Sequence, residues 1–296
     1  MRGVFASLLI FVLSFHICFA QSNDTTTQVK NKKLRNFLLI SGAAYGVSLY
    51  GLNELWYSNF DRQGFEFFND NAEWNQVDKV GHFYSSYHLA KGSQIIFERL
   101  GVSRKKSFLY GSLYSIALIT PIEILDAFSA EFGFSWGDVI ANVSGPALLY
   151  SQEVLFKKQL IKPKFSFSSS PYAAIRPETL GDGFHEEILK DYNGQTYWLS
   201  FDLNEIINTP KFPRWLNLGF GYGSDQMVFA RENENNQAGF NSFRQYYLAI
   251  DIDLSHIESR SKVLNTVIYL LDLIHLPSPA LEFSSQNKIK FRPFFF

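Results

Sequence analysis

The hydrophobic period of this chain changes near Lys162, and that change restricts its fold more than anything else in the sequence. Upstream, apolar residues form long, sparsely charged stretches of helical length. Downstream, they alternate one by one with polar residues, as in strands with two different faces. Helices first and strands afterwards, without regular strand–helix alternation, predict an α+β fold rather than a parallel α/β sheet.

The upstream part predicts a bundle of about four apolar helices. The stretch from Asn36 to Asn53 is uncharged and carries Gly42 and Gly46 at a spacing that lets a second helix approach closely inside a bilayer. Ser41, Tyr45, Ser48 and Tyr50 dilute its hydrophobicity, so a membrane helix and a buried helix of a soluble bundle both fit. Residues 58–75, rich in Asn, Asp and Phe, read as a loop with one short helical turn. Further helices are expected over 76–99, 104–130 and 135–157. Pro121 predicts a kink in the third, and Ser135 followed by Asp138 predicts a capped start for the fourth.

Beyond Lys162, residues 195–203, 215–222, 246–254 and 287–296 alternate in the manner of amphipathic strands. One apolar helix intervenes between Ser261 and His275, stopped by Pro277 and Pro279. The terminal aromatic is similar to the ends of outer-membrane barrel proteins, yet about four to six strands fall short of the eight with which bacterial barrels begin. A mostly antiparallel sheet packed on the helical half is the expectation. The regions are therefore 1–20, a signal peptide; 21–35, a polar and basic leader; 36–160, helical; and 161–296, β-rich.

The signal peptide rests on Arg2, the apolar run Val4 to Phe15 and the small residue Ala20 before a polar stretch. Its apolar core is too short to span a bilayer, which takes about 20 residues. Cys18, the single cysteine, would be the lipidated residue of a lipoprotein, but His16 and Ile17 occupy positions where small residues are normal. Cleavage after Ala20, giving an unlipidated Gln21 terminus, fits better. Aromatic residues make up 17% of the chain, a composition suited to membrane interfaces as well as to cores. A net charge of -1 supplies no field to recruit nucleic acid.

Three of the helices carry polar pairs at one-turn spacing: Asp78 with His82, beside Lys79; Glu123 with Asp126; and Asp138 with Asn142. Ionisable groups in apolar helices are costly unless they are paired or hydrated, so these pairs are expected to converge in one site. Asp78, His82, Glu123 and Asp138 could then hold a divalent cation, or one carboxylate could serve as a base with a raised pKa. Taken singly, each has a plainer role: Asp138 as a helix cap, Asn142 as interhelical amide glue, Asp78 and His82 as a solvated first-turn pair. The sequence contains no His-Glu-x-x-His zinc motif, no Gly-x-Ser-x-Gly elbow and no phosphate-cradling glycine loop.

Asp78-Lys-Val-Gly-His-Phe83, Glu123-Ile-Leu-Asp126 and Phe134-Ser-Trp-Gly-Asp-Val-Ile-Ala-Asn-Val-Ser-Gly145 resemble the YfiM-like domain of unknown function, a predicted periplasmic lipoprotein family. The same positions are more distantly similar to VanZ-like membrane proteins, although Asp126 stands where those usually have Gln and their arginine before the Asp helix is missing. The resemblance covers about residues 74–150, and Leu189–Ser200 with later segments looks like an extension found in Bacteroidetes members. It implies an exported envelope protein, associated with the outer membrane rather than the inner, of uncharacterised activity. From the residues themselves, the expected ligand of the polar site is a membrane lipid headgroup or a lipid-linked molecule. Two alternatives stay open: a structural module docking an outer-membrane protein without catalysis, and a metal-dependent hydrolase.

Overall fold

The computed structural model describes residues 27–55, 61–130, 133–207, 213–257, 259–286 and 288–296. The fold is α+β, as expected, and it divides into two compact units. One contains the described residues up to Asp70 together with Ser85–Leu155; the other contains Asn71–Tyr84 and Phe156–Phe296. The signal-peptide segment and Cys18 lie outside the described residues.

Four long helices make up the first part of the chain: α1 Thr27–Leu55, α2 Val77–Arg99, α3 Arg104–Asp126 and α4 Trp136–Phe156. The first two turns of α2 group with the second unit. Helix α1 takes in the basic run 30–35 that the sequence reading left outside it. Lys, Arg and Leu are good helix formers, and neither Gly nor Pro interrupts the run. Pro121 is accommodated inside α3.

In the helical unit, Phe37 meets the rings of Phe97 and Tyr114 at 5.7 and 6.0 Å, and the Tyr114 hydroxyl donates to Ser41 Oγ at 2.7 Å. The Tyr45 hydroxyl caps the Leu118 carbonyl. Gly111 sets the spacing of α2 and α3, because a Cβ there would lie 2.7 Å from the Ala90 carbonyl oxygen and the Gln94 nitrogen. Tyr87, Ala90, Phe108 and Leu149 form a small apolar core.

Much of what is buried here is polar: Ser86, Ser107, Ser112, Ser115, Gln152 and Glu153 point inward, while Leu39, Ile40, Val47, Leu113, Ile140 and Leu155 are exposed. An amphipathic helix in water has the opposite order. Helix α3 is long and apolar enough to cross a membrane. A Cβ at Gly42 or Gly46 would meet nothing within 4 Å, so the close-approach face of α1 is unused within the described residues.

The second unit is a six-stranded antiparallel meander in sequence order: β1 Ile161–Phe167, β2 Gln195–Phe201, β3 Leu216–Asp225, β4 Phe243–Ile252, β5 Ser278–Ser284 and β6 Ile289–Phe295. All four strands expected from alternation are present. β1 and β5 were not foreseen: Pro163 disguises β1, and Pro277 and Pro279 frame the start of β5. Proline is tolerated at sheet edges and strand starts. Five helices connect the strands, four of them short: α5 Pro177–Leu180, α6 Phe184–Lys190, α7 Leu203–Ile207, α8 Glu232–Gln237 and the longer α9 Lys262–Asp272.

The apolar helix of this region is α9, Lys262–Asp272. Just after it the chain bridges Ile274 to Phe165 on the outer edge of β1, with Phe165 N–H donating to the Leu273 carbonyl at 3.0 Å and His275 N–H to the Phe165 carbonyl at 2.9 Å. The sheet therefore curls, with one end drawn together. Gly221 leaves room for the buried Trp198 ring, because a Cβ there would sit 2.8 Å from it.

The first turns of α2 are fastened to this sheet. Tyr84 donates to the Leu273 carbonyl at 3.1 Å and packs on Phe165 and Tyr197. Before it, Trp74, Asn75 and Gln76 adopt positive φ. The Asn75 amide donates to Ser224 Oγ at 2.8 Å and Arg244 to Gln76 Oε1 at 2.8 Å, which holds this costly left-handed turn.

Candidate functional site

Helix α3 carries Glu123 on the side facing α4, where its side chain is 2% exposed, and Asn142 of α4 donates to Glu123 Oε1 at 2.8 Å. Asp138 lies one turn before Asn142 on the same helical face and is also buried. Carboxylate oxygens of Glu123 and Asp138 lie within 4.8 Å of one another, as do those of Asp138 and Asp70. The expected cap of α4 is present: Ser135 Oγ accepts the Asp138 N–H at 3.1 Å and donates to Asp70 Oδ1 at 2.5 Å. The oxygen that caps the helix thus also ties in the loop residue Asp70.

That loop is positioned by the backbone: Phe68 N–H donates to the Phe134 carbonyl at 3.0 Å and Phe134 N–H to the Glu66 carbonyl at 2.9 Å. Beside it, Phe65, Phe67, Phe128, Phe134 and Trp136 form a ring cluster with centroids 5.1 to 6.3 Å apart, and four of the five rings are exposed. Asp126 is half-buried at the last turn of α3, its carbonyl accepting the Ser129 N–H at 3.0 Å.

Asp78, Lys79 and His82 stand on the first two turns of α2, among the residues that group with the sheet. Lys79 Nζ pairs with Asp78 Oδ2 at 2.9 Å. Helical spacing drew attention to Glu123, Asp138 and Asn142, and the structure brings these three together. It could not find Asp70, which lies in an irregular segment and reaches Asp138 only through tertiary folding.

An open cleft of about 350 Å³ in the helical unit is lined by Leu49, Tyr50 and Asn53 of α1 and by Pro121, Ile124 and Leu125 of α3. At 3.6 residues per turn these α3 residues face away from Glu123 and Asp126. Cleft and carboxylates therefore occupy opposite sides of one helix.

The sheet unit holds a second ionic assembly that alternation alone misread. Asp251 of β4 and Asp253 just after it look like the solvated face of an amphipathic strand, yet both are 1% exposed, whereas Tyr246 and Ile250 of the apolar set are exposed. Lys164 of β1, fully buried, approaches Asp251 Oδ2 at 2.8 Å and Asp272 Oδ1 at 3.2 Å, and donates to the Ile252 carbonyl at 2.6 Å. Ser200 donates to Asp251 Oδ2 at 2.5 Å, and His275 Nδ1 lies 2.8 Å from Asp251 Oδ1. Lys162 binds both oxygens of Asp253 at 2.8 Å. The imidazole of His275 stacks on Trp198 with ring centroids 3.8 Å apart.

Burial alone would lower the Lys164 pKa, but the charges of Asp251 and Asp272 outweigh it and hold the ammonium above its ordinary range. Burial raises Asp251, and the bonds from His275, Lys164 and Ser200 reverse this to a net lowering. Asp253 is likewise pushed up by burial and brought down to about 2, chiefly by Lys162. For Asp272 burial wins and its pKa is raised.

Ser278, His275 and Asp251 follow the connectivity of an acyl-transfer triad, with Ser278 Oγ 3.3 Å from His275 Nε2. The Ser278 hydroxyl donates its single proton to the Ile250 carbonyl at 2.5 Å, however, so it has none to give to the imidazole. Asp202, Asp253 and His256 also lie within 4.8 Å, but Lys162 already occupies both Asp253 oxygens. The sheet assembly is a folding device.

Residues 66–153 match the family model described as "Predicted periplasmic lipoprotein (DUF2279)". The matched span contains Asp70, Asp78, Lys79, His82, Glu123, Asp126, Asp138 and Asn142, and it stops before the sheet, which begins at Ile161. The match supports an exported, periplasmic envelope protein of uncharacterised activity. No curated protein and no solved structure matches the chain.

Proposed function

We propose that this is a membrane-associated envelope protein whose helical unit holds a divalent cation between Glu123 and Asp138, and through that cation the phosphate-bearing headgroup of a lipid or lipid-linked molecule. The observation that carries the proposal is the approach of the two carboxylates to within 4.8 Å in a buried setting. Two carboxylates this close repel each other when ionised, and a cation between them relieves that repulsion. Asn142 holds the Glu123 carboxylate in place with one amide proton at 2.8 Å. A carboxylate pair suits a divalent cation such as Mn²⁺.

The cation also reconciles an acidic site with a phosphate, which carboxylates alone would repel. Membrane association is supported by the inverted helical unit and by the exposed ring cluster around Trp136, which has the composition of an interfacial anchor.

The test is isothermal titration of the detergent-purified protein with Mn²⁺ and Zn²⁺, followed by a polyprenyl phosphate with and without the metal. One cation per chain, lost in Glu123→Gln and Asp138→Asn, and metal-dependent binding of the phosphate are expected. A wild-type protein that binds neither metal refutes the reading and leaves the interaction module as the better account.

A further inference from the structure

We infer that the outer face of the β3–β6 sheet seats directly on phospholipid hydrocarbon, as a contact separate from the helical site. Register places the outward side chains in rows: Tyr222, Tyr246, Phe283 and Ile289; Phe220, Leu248, Leu281 and Phe291; Leu218 and Ile250. No charged residue stands in these rows, and Phe220, Tyr246, Ile250, Leu281, Phe283 and Phe291 are all exposed. Asp251 of β4 and Glu282 of β5 point the other way, Asp251 to Lys164 and Glu282 to Arg292 at 2.8 Å, while Arg244, one row beyond Tyr246 on the outward side, is tied to Gln76 Oε1 at 2.8 Å. The neighbouring helix repeats the pattern. Val263, Leu264, Val267 and Leu271 of α9 are exposed while Asp272 is turned toward Lys164.

An aqueous sheet puts its alternating apolar set inward and leaves the polar set wet. Here the expensive operation, burying Lys164, Asp251 and Glu282, has been carried out while cheaper apolar side chains stay outside. That order matches a medium less polar than the interior of the sheet, as on the lipid face of membrane strands. A second copy of the chain fits less well. At about 3.3 Å per residue and 4.8 Å between strands the rows span only about 13 by 14 Å. That is roughly 200 Å² against the about 800 Å² per partner of a stable protein interface. A bilayer sets no such minimum, because each ring inserts independently. Six strands with an open edge do not make a spanning barrel, so the contact is a seating of one face at the acyl boundary.

The test uses the full chain, reconstituted with vesicles of phosphatidylethanolamine and phosphatidylglycerol, and a fluorophore on Ile250→Cys or, as control, on Glu232→Cys, an exposed position of α8. Quenching by acyl-chain spin labels at Ile250 and not at Glu232 is expected. A combined Phe220→Ser, Ile250→Ser, Phe291→Ser variant should lose vesicle affinity by at least about tenfold with its thermal midpoint kept, since the side chains removed are exposed. Three results overturn the inference: absence of quenching at Ile250, which leaves any anchoring to other parts of the chain; equal quenching at both positions; or concentration-dependent dimerisation that the triple variant abolishes. All are independent of cation binding, so this contact and the helical site stand or fall separately.

Discussion

Replacing Lys164 with methionine keeps most of the side-chain volume and removes the buried cation of the sheet. The lysine is fully buried and touches Asp251 Oδ2 at 2.8 Å, Asp272 Oδ1 at 3.2 Å and the Ile252 carbonyl at 2.6 Å. Removing one partner of a buried ion pair costs about 3–5 kcal/mol, because the other charge is left in a medium that solvates it poorly. Asp251 retains His275 at 2.8 Å and Ser200 at 2.5 Å, which places the expected loss near the lower end, about 3 kcal/mol. For a unit of this size that is a fall of roughly 6–12 °C in Tm. The assay is urea unfolding in mild detergent, followed by the near-ultraviolet circular dichroism to which Trp198, stacked on His275, contributes. Lys164→Met, Asp251→Asn and the double variant should be compared. The double variant should recover about 1–2 kcal/mol relative to additivity, since neutralising Asp251 removes the orphaned charge. Lys164 is raised, so its stabilisation is complete below the unfolded lysine pKa and is lost as pH rises through its folded value; Asp251 is lowered, so its share is lost only as pH falls through its own. The penalty should therefore be flat across neutral pH. A single-variant loss below about 1 kcal/mol, or strict additivity, would refute the account.

Further outcomes follow from individual sites. Gly221→Ala forces a methyl to within 2.8 Å of the Trp198 ring and should cost about 1–3 kcal/mol by overpacking, read as a lower urea midpoint. Asp253, lowered to about 2, contributes about 2 kcal/mol that is present above its unfolded pKa and lost as pH falls through the folded value. Lys162→Met should remove most of this acid-range slope in equilibrium melts. Asp272 is raised by burial, so its ionised form disfavours folding near neutrality, and Asp272→Asn should leave Tm unchanged or higher. Asn142→Ala should destabilise the helical unit by about 1–3 kcal/mol, because it strips the hydrogen bond from buried Glu123, whereas Glu123→Gln keeps an acceptor and should cost less.

At the candidate site, spacing along a helix was enough to single out Glu123, Asp138 and Asn142, because residues three and four apart share a face wherever the helix lies. Asp70 escaped notice for the converse reason. Its role depends on Phe68 and Phe134 pairing backbones across the loop, and no local period records such a pairing. Lys164 was hidden twice, by Pro163 beside it and by the habit of reading a lysine in a strand as solvated.

What the sequence determined by itself was the type of most elements and the period of their two faces. Apolar stretches of helical length became α1 to α4, and alternation over 246–254 and the other three segments became strands of a single sheet, because both periods follow from backbone geometry. What it left undecided was which face is inside. Alternation is symmetric: Tyr246, Leu248 and Ile250 could face a core as readily as Gln245, Tyr247 and Asp251. That choice belongs to residues far away along the chain, to Lys164, Ser200 and His275, whose charges and hydrogen bonds make the polar face of β4 the better one to bury. Only the tertiary structure brings these partners together, since the free energy of a buried carboxylate depends on what stands within about 3 Å of it rather than on its neighbours in sequence.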